Sequence, residues 1–340
     1  MKIKVLVAMS GGVDSTVTAA LLLKQGYDVA GVTMEIGFGE AAKAAEEAAR
    51  ELGIEHYVVD LQKKFSSTII KDFLDKYQRG KTPNPCVLCN KKLKFAAFWP
   101  LMDQLGCTYL ATGHYVQKIV QNNRYILKKA YSKSKDQSYF LYTLSQDVLA
   151  RAIFPLGQYE KEHVRQIARD MGLKVAEKND SQDICFIPDG DYKNFYRQNC
   201  LKQPLEGNLF DISGNKISSH QGLPYYTVGQ RKGLGVALGY PCYVVALDVE
   251  NNAVIIGREE DLYVEKAFTC DNNFFPFDDL LEPMQVEVKV RYKAEPVPAI
   301  IKKDGDLVEI TFAEKQKSIA PGQSAVFYQG DILVGGGCLI

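Results

Sequence analysis

The chain has 340 residues, 46% hydrophobic and 24% charged, with 41 basic and 41 acidic side chains and a net charge of zero. That length exceeds one ordinary core and implies two or three domains. The even balance excludes a protein that holds nucleic acid by overall charge, though not one with a local basic patch. No apolar run reaches the ~20 residues of a membrane-spanning helix. The N-terminus, MKIKVLVAMS, has no small-residue cleavage site and runs straight into a glycine turn, so it reads as a buried strand rather than a signal peptide. A cytoplasmic protein with reduced thiols is expected.

In chain order, residues 4–9 (KVLVAM) form a continuous apolar run of the kind buried on both faces of a sheet. Ser10-Gly11-Gly12 turns the chain, and residues 14–25 carry helical spacing at Val17, Ala20, Leu21 and Lys24 before Gly26 stops them. Residues 28–34 read as a second strand, 39–52 as an Ala/Glu-rich helix ended by Gly53, and 56–61 and 108–115 as further strands. Strands alternating with helices predict an α/β fold, a doubly wound, Rossmann-like parallel sheet. After about residue 200, short alternating segments with turn signals take over. Residues 243–257 read as a hairpin around Asn251-Asn252, and 284–292, 307–312 and 324–337 continue in that style. The expected domains are a catalytic domain over 1–203, a small central β-rich domain over 204–265 and a C-terminal β-barrel over 266–340.

Ser10-Gly11-Gly12-Val13-Asp14-Ser15 follows a buried strand and opens a helix. Glycines in that place let backbone N–H groups curl toward one point, and the helix start adds partial positive charge, which together suit a phosphate. Ser10 and Ser15 add hydroxyls. No Gly-Lys-Ser/Thr ending is present, so this is not a Walker A loop.

Five of the eight cysteines (Cys107, Cys200, Cys242, Cys270, Cys338) read as single buried or surface thiols. Cys89 precedes Lys91, Lys92 and Lys94, an electropositive setting that is expected to lower a thiol pKa. Cys185 lies in a polar loop with Asp180 and Asp183 nearby in sequence. Two separated reactive thiols suit sulfur transfer, one carrying a persulfide and the other releasing product by forming a disulfide. Basic residues also cluster over 63–94 and over 118–135, where Lys118, Arg124, Lys128, Lys129, Lys133 and Lys135 have no acid among them. Taken alone, such a run is a solvated face.

SGGVDS resembles the pyrophosphate loop of the N-type ATP pyrophosphatases, which adenylylate a carbonyl oxygen and release pyrophosphate. Longer strings narrow the resemblance: TPNPCVLCNKKLKF (82–95), ATGHY (111–115), KSKDQSYFL (133–141), NDSQDICFIP (179–188), YYTVGQRKGLG (225–235) and APGQSAVFY (320–328) are similar, in order, to the MnmA family of tRNA-specific 2-thiouridylases. The resemblance implies that ATP is held by Ala8, Met9, Ser10, Gly11, Gly12, Val13, Asp14, Ser15 and Met34, with Gly113 closing over it. It assigns the persulfide to Cys185 and its partner role to Cys89. The target base would meet Asn84, Pro85 and Cys86, and the tRNA would meet His114, Lys135, Asp136, Gln137, Arg291, Tyr292 and Gln323. Mg²⁺ is the expected counter-ion, with Asp14 in its shell. The implied partners are tRNA and a cysteine desulfurase or sulfur-relay protein; no membrane is implied. A flipped uridine is the expected mode of entry.

Two departures matter. GFGEAAKAAEEAAREL (37–52) is shorter than the family's counterpart and lacks its cysteine pair, and position 86, which varies between Asp and Cys in the family, is Cys here. The resulting Cys86-x-x-Cys89, together with Cys185, leaves open an iron–sulfur cluster with three cysteine ligands. A tRNA-binding protein with an inactive nucleotide site, and a ligase acting on a small molecule, are the other readings.

Overall fold

The computed structural model describes residues 2–178 and 184–340. Strands β1 (Lys4–Ala8), β2 (Asp28–Glu35), β3 (Glu55–Asp60) and β4 (Tyr109–Thr112) are followed by a hairpin, β5 (Gln117–Gln121) and β6 (Arg124–Lys128), and then by β7 (Ala152–Ile153). The first sheet has the order β3-β2-β1-β4-β7, and every pairing in it is parallel. Val5, Leu6 and Val7 have no accessible surface, as an unbroken apolar run in a central strand requires. The helix Val13–Lys24 packs behind this strand. Helix Ala41–Leu52, built from the short Ala/Glu segment, ends at Gly53 in the left-handed conformation.

The β5–β6 hairpin was not legible as such in the sequence. It turns at Asn122 and Asn123, both with positive φ (51° and 59°), the chirality a tight two-residue turn needs. It leaves the first sheet and joins the far domain, Lys128 pairing with Ile332. This corrects part of the expectation for the basic run over 118–135, because several of its cations are structural. Lys118 Nζ donates to the Leu149 and Ala152 carbonyls at 2.8 and 2.6 Å. Arg124 donates to the Phe275 carbonyl and pairs with Asp278 at 2.8 Å, and Lys129 donates to the Gly330 carbonyl.

The second sheet comprises β8 (Gly207–Asp211), β9 (Lys216–His220), β10 (Tyr243–Asp248) and β11 (Ala253–Gly257), in the order β10-β11-β8-β9. The hairpin expected over 243–257 is present and turns with Asn252 at positive φ. A third sheet contains β12 (Tyr263–Phe274), β13 (Met284–Lys289), β14 (Val297–Asp304), β15 (Leu307–Lys317), β16 (Ser324–Gln329) and β17 (Ile332–Leu339). It closes on itself through a β12–β17 pairing, and the hairpin adds to it outside. Its lining follows the two-residue period: Val286 and Val288, Ala299 and Ile301, and Val308, Ile310 and Phe312 face one core. Cys270 and Cys338, expected to be isolated, are directly opposed on β12 and β17.

The barrel also grips a loop of the first domain. Thr82 N–H donates to the Pro321 carbonyl at 2.7 Å, and Gln323 Nε2 donates to the Thr82 and Pro83 carbonyls at 3.1 and 3.3 Å. Gly322, at φ +89°, lies so close that an added Cβ would stand 2.9 Å from Lys81 Cβ and from the Thr82 carbonyl oxygen. Gly322→Ala is therefore expected to destabilise the protein by about 1–3 kcal/mol, since both the backbone conformation and the space disfavour a side chain. Thermal unfolding should report the loss, and limited proteolysis should find residues 80–84 more accessible than in the wild type.

Candidate functional site

β1 and β4 are neighbours, Ala8 lying opposite Thr112, while β2 and β3 continue the sheet on the other side of β1. This is where the strand order reverses, and a crevice opens at the carboxyl ends of such strands. Met9–Ser15 leaves β1 into it and Gly113–Tyr115 leaves β4. Gly11 adopts φ +68°, and a Cβ there would stand 2.4 Å from that of Ala44, so the turn is pressed against the helix 41–52. Ser15 Oγ accepts the Ser10 N–H at 3.1 Å and donates to the Gly12 carbonyl at 3.2 Å. The two serine hydroxyls lie 3.4 Å apart. A Cβ on Gly113 would come within 3.0 Å of the Asp14 carbonyl carbon and the Ser15 nitrogen, so this glycine covers the start of the helix. Met34 is half-buried at the end of β2. Ser10, Gly11, Asp14, Ser15 and Gly113 thus meet at one turn, while Met9 and Val13 pack into the core beside it.

Two cations at this cradle were missed. Lys161 Nζ, buried, stands 2.7 and 2.8 Å from the two carboxylate oxygens of Asp14, which also accepts the Tyr115 hydroxyl at 2.7 Å. Lys178 Nζ donates to the Gly11 carbonyl at 3.0 Å. Both lie about 150 residues beyond the loop in sequence (147 and 167 positions from their partners), where only the resemblance could have pointed to them. Asp14, expected to serve Mg²⁺, is already neutralised. Among the described residues no three His, Cys, Asp or Glu side chains are grouped to hold a metal ion. The cradle therefore does not present a ready magnesium shell.

The thiols sit on a second set of loops. Asn84 caps the helix Pro85–Cys89, its Oδ1 accepting the Val87 N–H, and Pro85 occupies the first turn, where its missing N–H costs nothing. Val87 is buried in the core beneath β4, which leaves Cys86 exposed and Cys89 half-buried. The next five residues, Asn90–Lys94, form a wide π-helical turn that brings Lys94 back over Cys89. Cys185 stands in a turn closed by the Ile187 N–H on the Ile184 carbonyl. Its neighbour Phe186 is sunk among Phe65, Phe73 and Phe195. Anchoring Phe186 presents Cys185 outward; Asp180 and Asp183 lie outside the described residues.

The three thiols lie within electrostatic reach of one another. Burial raises the Cys185 pKa to about 11, with Cys86 and Cys89 adding to the rise and Lys94 opposing it. Burial likewise raises Cys89, against the pull of Lys94 and a hydrogen bond from its backbone N–H. This corrects the expectation of a lowered Cys89 pKa: Lys91 and Lys92 point to solvent, and desolvation outweighs the single nearby ammonium. Cys86 is raised for the same reason. The sulfurs of Cys86 and Cys185 are reachable from solvent yet crowded by protein. Cys86, Cys89 and Cys185 do not converge as a metal ligand set. The iron–sulfur arrangement does not fit, and no step is drawn through it.

The residues expected to meet tRNA divide into two groups. Arg291 is exposed, and Tyr292, half-buried, packs on Phe140 at 4.5 Å within electrostatic reach of Lys135. The others are engaged internally. Asp136 is buried and accepts the Ala130 and Ser138 N–H groups and the Ser138 hydroxyl, and Gln137 accepts the Tyr115 N–H. Gln323 grips residues 82–83, as above. His114 is buried, with Nδ1 2.8 Å from Thr112 Oγ1 and Nε2 3.4 Å from Lys94 Nζ, and burial holds its pKa well below the usual value. Because only a thiolate reacts with an alkylating agent, Cys185 in the free protein should alkylate slowly at pH 8, with a rate that climbs toward pH 11. Peptide mass spectrometry after iodoacetamide pulses at stepped pH measures this, and a plateau reached below pH 9 would contradict the raised pKa.

Comparison with known proteins bears on this geometry. The tRNA methyl transferase HUP domain family matches residues 3–189, its PRC-barrel domain family residues 193–258, and the aminomethyltransferase beta-barrel domain family residues 266–339. Relatives match over their whole length. A tRNA-specific 2-thiouridylase MnmA 2 of Clostridium botulinum is 46% identical, covering 98% of each chain. The tRNA-specific 2-thiouridylase MnmA of Clostridioides difficile is 44% identical over 100% of this chain and 98% of its own. MnmA 1 of Caldanaerobacter subterraneus is 47% identical over 99% and 97%. On this full-length likeness, with all the quoted motifs in order, the chain belongs to the tRNA-specific 2-thiouridylase (MnmA) family.

Proposed function

We propose that this protein is an ATP-dependent tRNA uridine 2-sulfurtransferase acting on the wobble uridine. The observation that carries the reading is the juxtaposition of a glycine-turn cradle with two thiols, the half-buried Cys89 and the exposed Cys185, linked through Lys94 to the segment 112–115 that leaves β4. A family label speaks of methyl transfer, but paired thiols beside a nucleotide cradle suit sulfur chemistry, as the full-length relatives' names do.

In this reading ATP lies over residues 8–15 and Met34, and the base enters beside Asn84, Pro85 and Cys86. The uridine 2-oxygen attacks the α-phosphate; pyrophosphate leaves, and the N3 proton goes to solvent. The oxygen, a poor leaving group, is now part of AMP. The terminal sulfur of a persulfide on Cys185 attacks C2, its proton is lost and AMP departs. The thiolate of Cys89 then attacks the Cys185 sulfur. A Cys89–Cys185 disulfide forms, and the sulfur left on C2 takes a proton to give the 2-thiouridine. A thiol reductant must reopen the disulfide before the next round.

Lys178 supplies positive charge at the phosphates, Lys161 holds Asp14 in place beneath them, and Mg²⁺ would arrive with the nucleotide. The exposed turn that carries Cys185 suits reloading by a cysteine desulfurase or a relay protein. Arg291, Tyr292 and Lys135 are the outward-facing side of the tRNA surface; His114, Asp136, Gln137 and Gln323 shape the loops behind it. A cytoplasmic location accords with thiols that must be reduced in each cycle; no helix of the described residues is long and apolar enough to cross a membrane.

Nucleoside mass spectrometry of tRNA from a deletion strain should show loss of 2-thiouridine derivatives, restored by the wild type. Cys185→Ala should fail to restore them yet retain tRNA-dependent pyrophosphate release in vitro. Asp14→Ala should lose both. Unchanged 2-thiouridine in the deletion strain would overturn the reading.

A further inference from the structure

The half-buried cation at the centre of the thiol cluster has no assigned task. Among the described residues Lys94 makes no ion pair with a carboxylate. Its one side-chain hydrogen-bond partner is a neutral ring nitrogen, His114 Nε2 at 3.4 Å. That ring is fixed from behind: Nδ1 lies 2.8 Å from Thr112 Oγ1, and stacking on Phe95 sets its plane. With Nδ1–H donating to the threonine, the Nε2 lone pair faces the ammonium, an assignment that the lowered pKa of this buried imidazole supports. The backbone of Lys94 points the same way, because the π-turn after the helix 85–89 aims its N–H at the Cys89 sulfur. One residue thus favours the Cys89 thiolate twice, through its backbone N–H and through the charge of its ammonium. Among the described residues, the titratable groups facing Cys89 are Cys86, Cys185 and Lys94; those facing Lys94 are the three thiols and His114.

A cation partly withdrawn from water, with no carboxylate partner, favours an anion that arrives beside it. The anion that this reaction generates at that place is sulfur, first as a persulfide and then as the Cys89 thiolate. Burial works against both anions, and among the described residues Lys94 is the one group that each thiol has in its favour apart from backbone donors.

We propose that Lys94 is a positioning residue for sulfur transfer: its ammonium, braced by His114, is the counter-ion that holds the sulfur anion of Cys89 and aims it at Cys185. The proposal rests on the sulfurtransferase reading but concerns a residue that the reading does not use. It assigns Lys94 no part in nucleotide binding, so adenylylation should proceed without it.

The test compares the full-length wild type with Lys94→Met, which keeps the stem and removes the charge, and Lys94→Arg, which keeps the charge. Iodoacetamide alkylation of Cys89, followed by peptide mass spectrometry between pH 7 and 10 without ATP or tRNA, reads the thiolate directly. Lys94→Met should shift the Cys89 profile upward by about one pH unit, or about tenfold in rate at fixed pH, and Lys94→Arg should restore most of it. TRNA-dependent pyrophosphate release should persist in Lys94→Met while 2-thiouridine formation collapses. Coincident wild-type and Lys94→Met profiles would overturn the proposal, as would loss of pyrophosphate release in parallel with thiolation, which marks a structural role. If the profile shifts but the wild type forms no 2-thiouridine, the charge role of Lys94 stands and the functional reading falls.

Discussion

Adjacency of β1 and β4 at their carboxyl ends is the constraint on which the remaining architecture depends. Ala8 pairs with Thr112, so the turn leaving one strand and the segment leaving the other begin side by side. From that seam three consecutive residues reach in different directions. Gly113 closes on the helix start at Asp14 and Ser15, His114 reaches Lys94, and Tyr115 returns to the Asp14 carboxylate. Alternation of side chains along extended backbone is what sends neighbours to opposite sides. A four-residue stretch thereby links the glycine-turn cradle to the lysine beside the thiols, with each contact held by a hydrogen bond or by the absence of a Cβ.

Around that seam the protein isolates charge and then compensates it. Asp14 is met by Lys161 and Tyr115, Asp136 by two backbone N–H groups and a hydroxyl, and Lys118 by two carbonyls. The thiols differ. They are crowded enough that burial raises their pKa values and favours the neutral thiol over the thiolate. A resting enzyme that keeps its sulfurs neutral avoids indiscriminate oxidation, at the expense of needing local help when sulfur must move.

Much of this was legible in the sequence. The run KVLVAM, the turn SGGVDS and the spacing of residues 14–25 located the central strand, the cradle and its helix, because burial on both faces and a glycine-opened helix leave strong patterns. The hairpin over 243–257 was legible from its asparagines. The parts that escaped depend on distance and dielectric rather than on pattern. Lys118, Arg124 and Lys129 looked like an open basic face, but each folds back onto a carbonyl or carboxylate that becomes near only in three dimensions. Lysines beside Cys89 suggested an acidic thiol, because a sequence displays charges but not the water that packing removes. Lys161 and Lys178 carry no local signature, since what makes them notable is the partner they reach.

The grip of the barrel on residues 82–83 spans 241 positions of chain. On the ribosome, then, the cradle-bearing sheet emerges before the element that steadies the thiol loop exists. A nascent chain halted before residue 320 would own a complete nucleotide turn and an untethered Cys86–Cys89 helix. The tether that steadies the thiol helix is thus synthesised well after the turn and the thiols it serves.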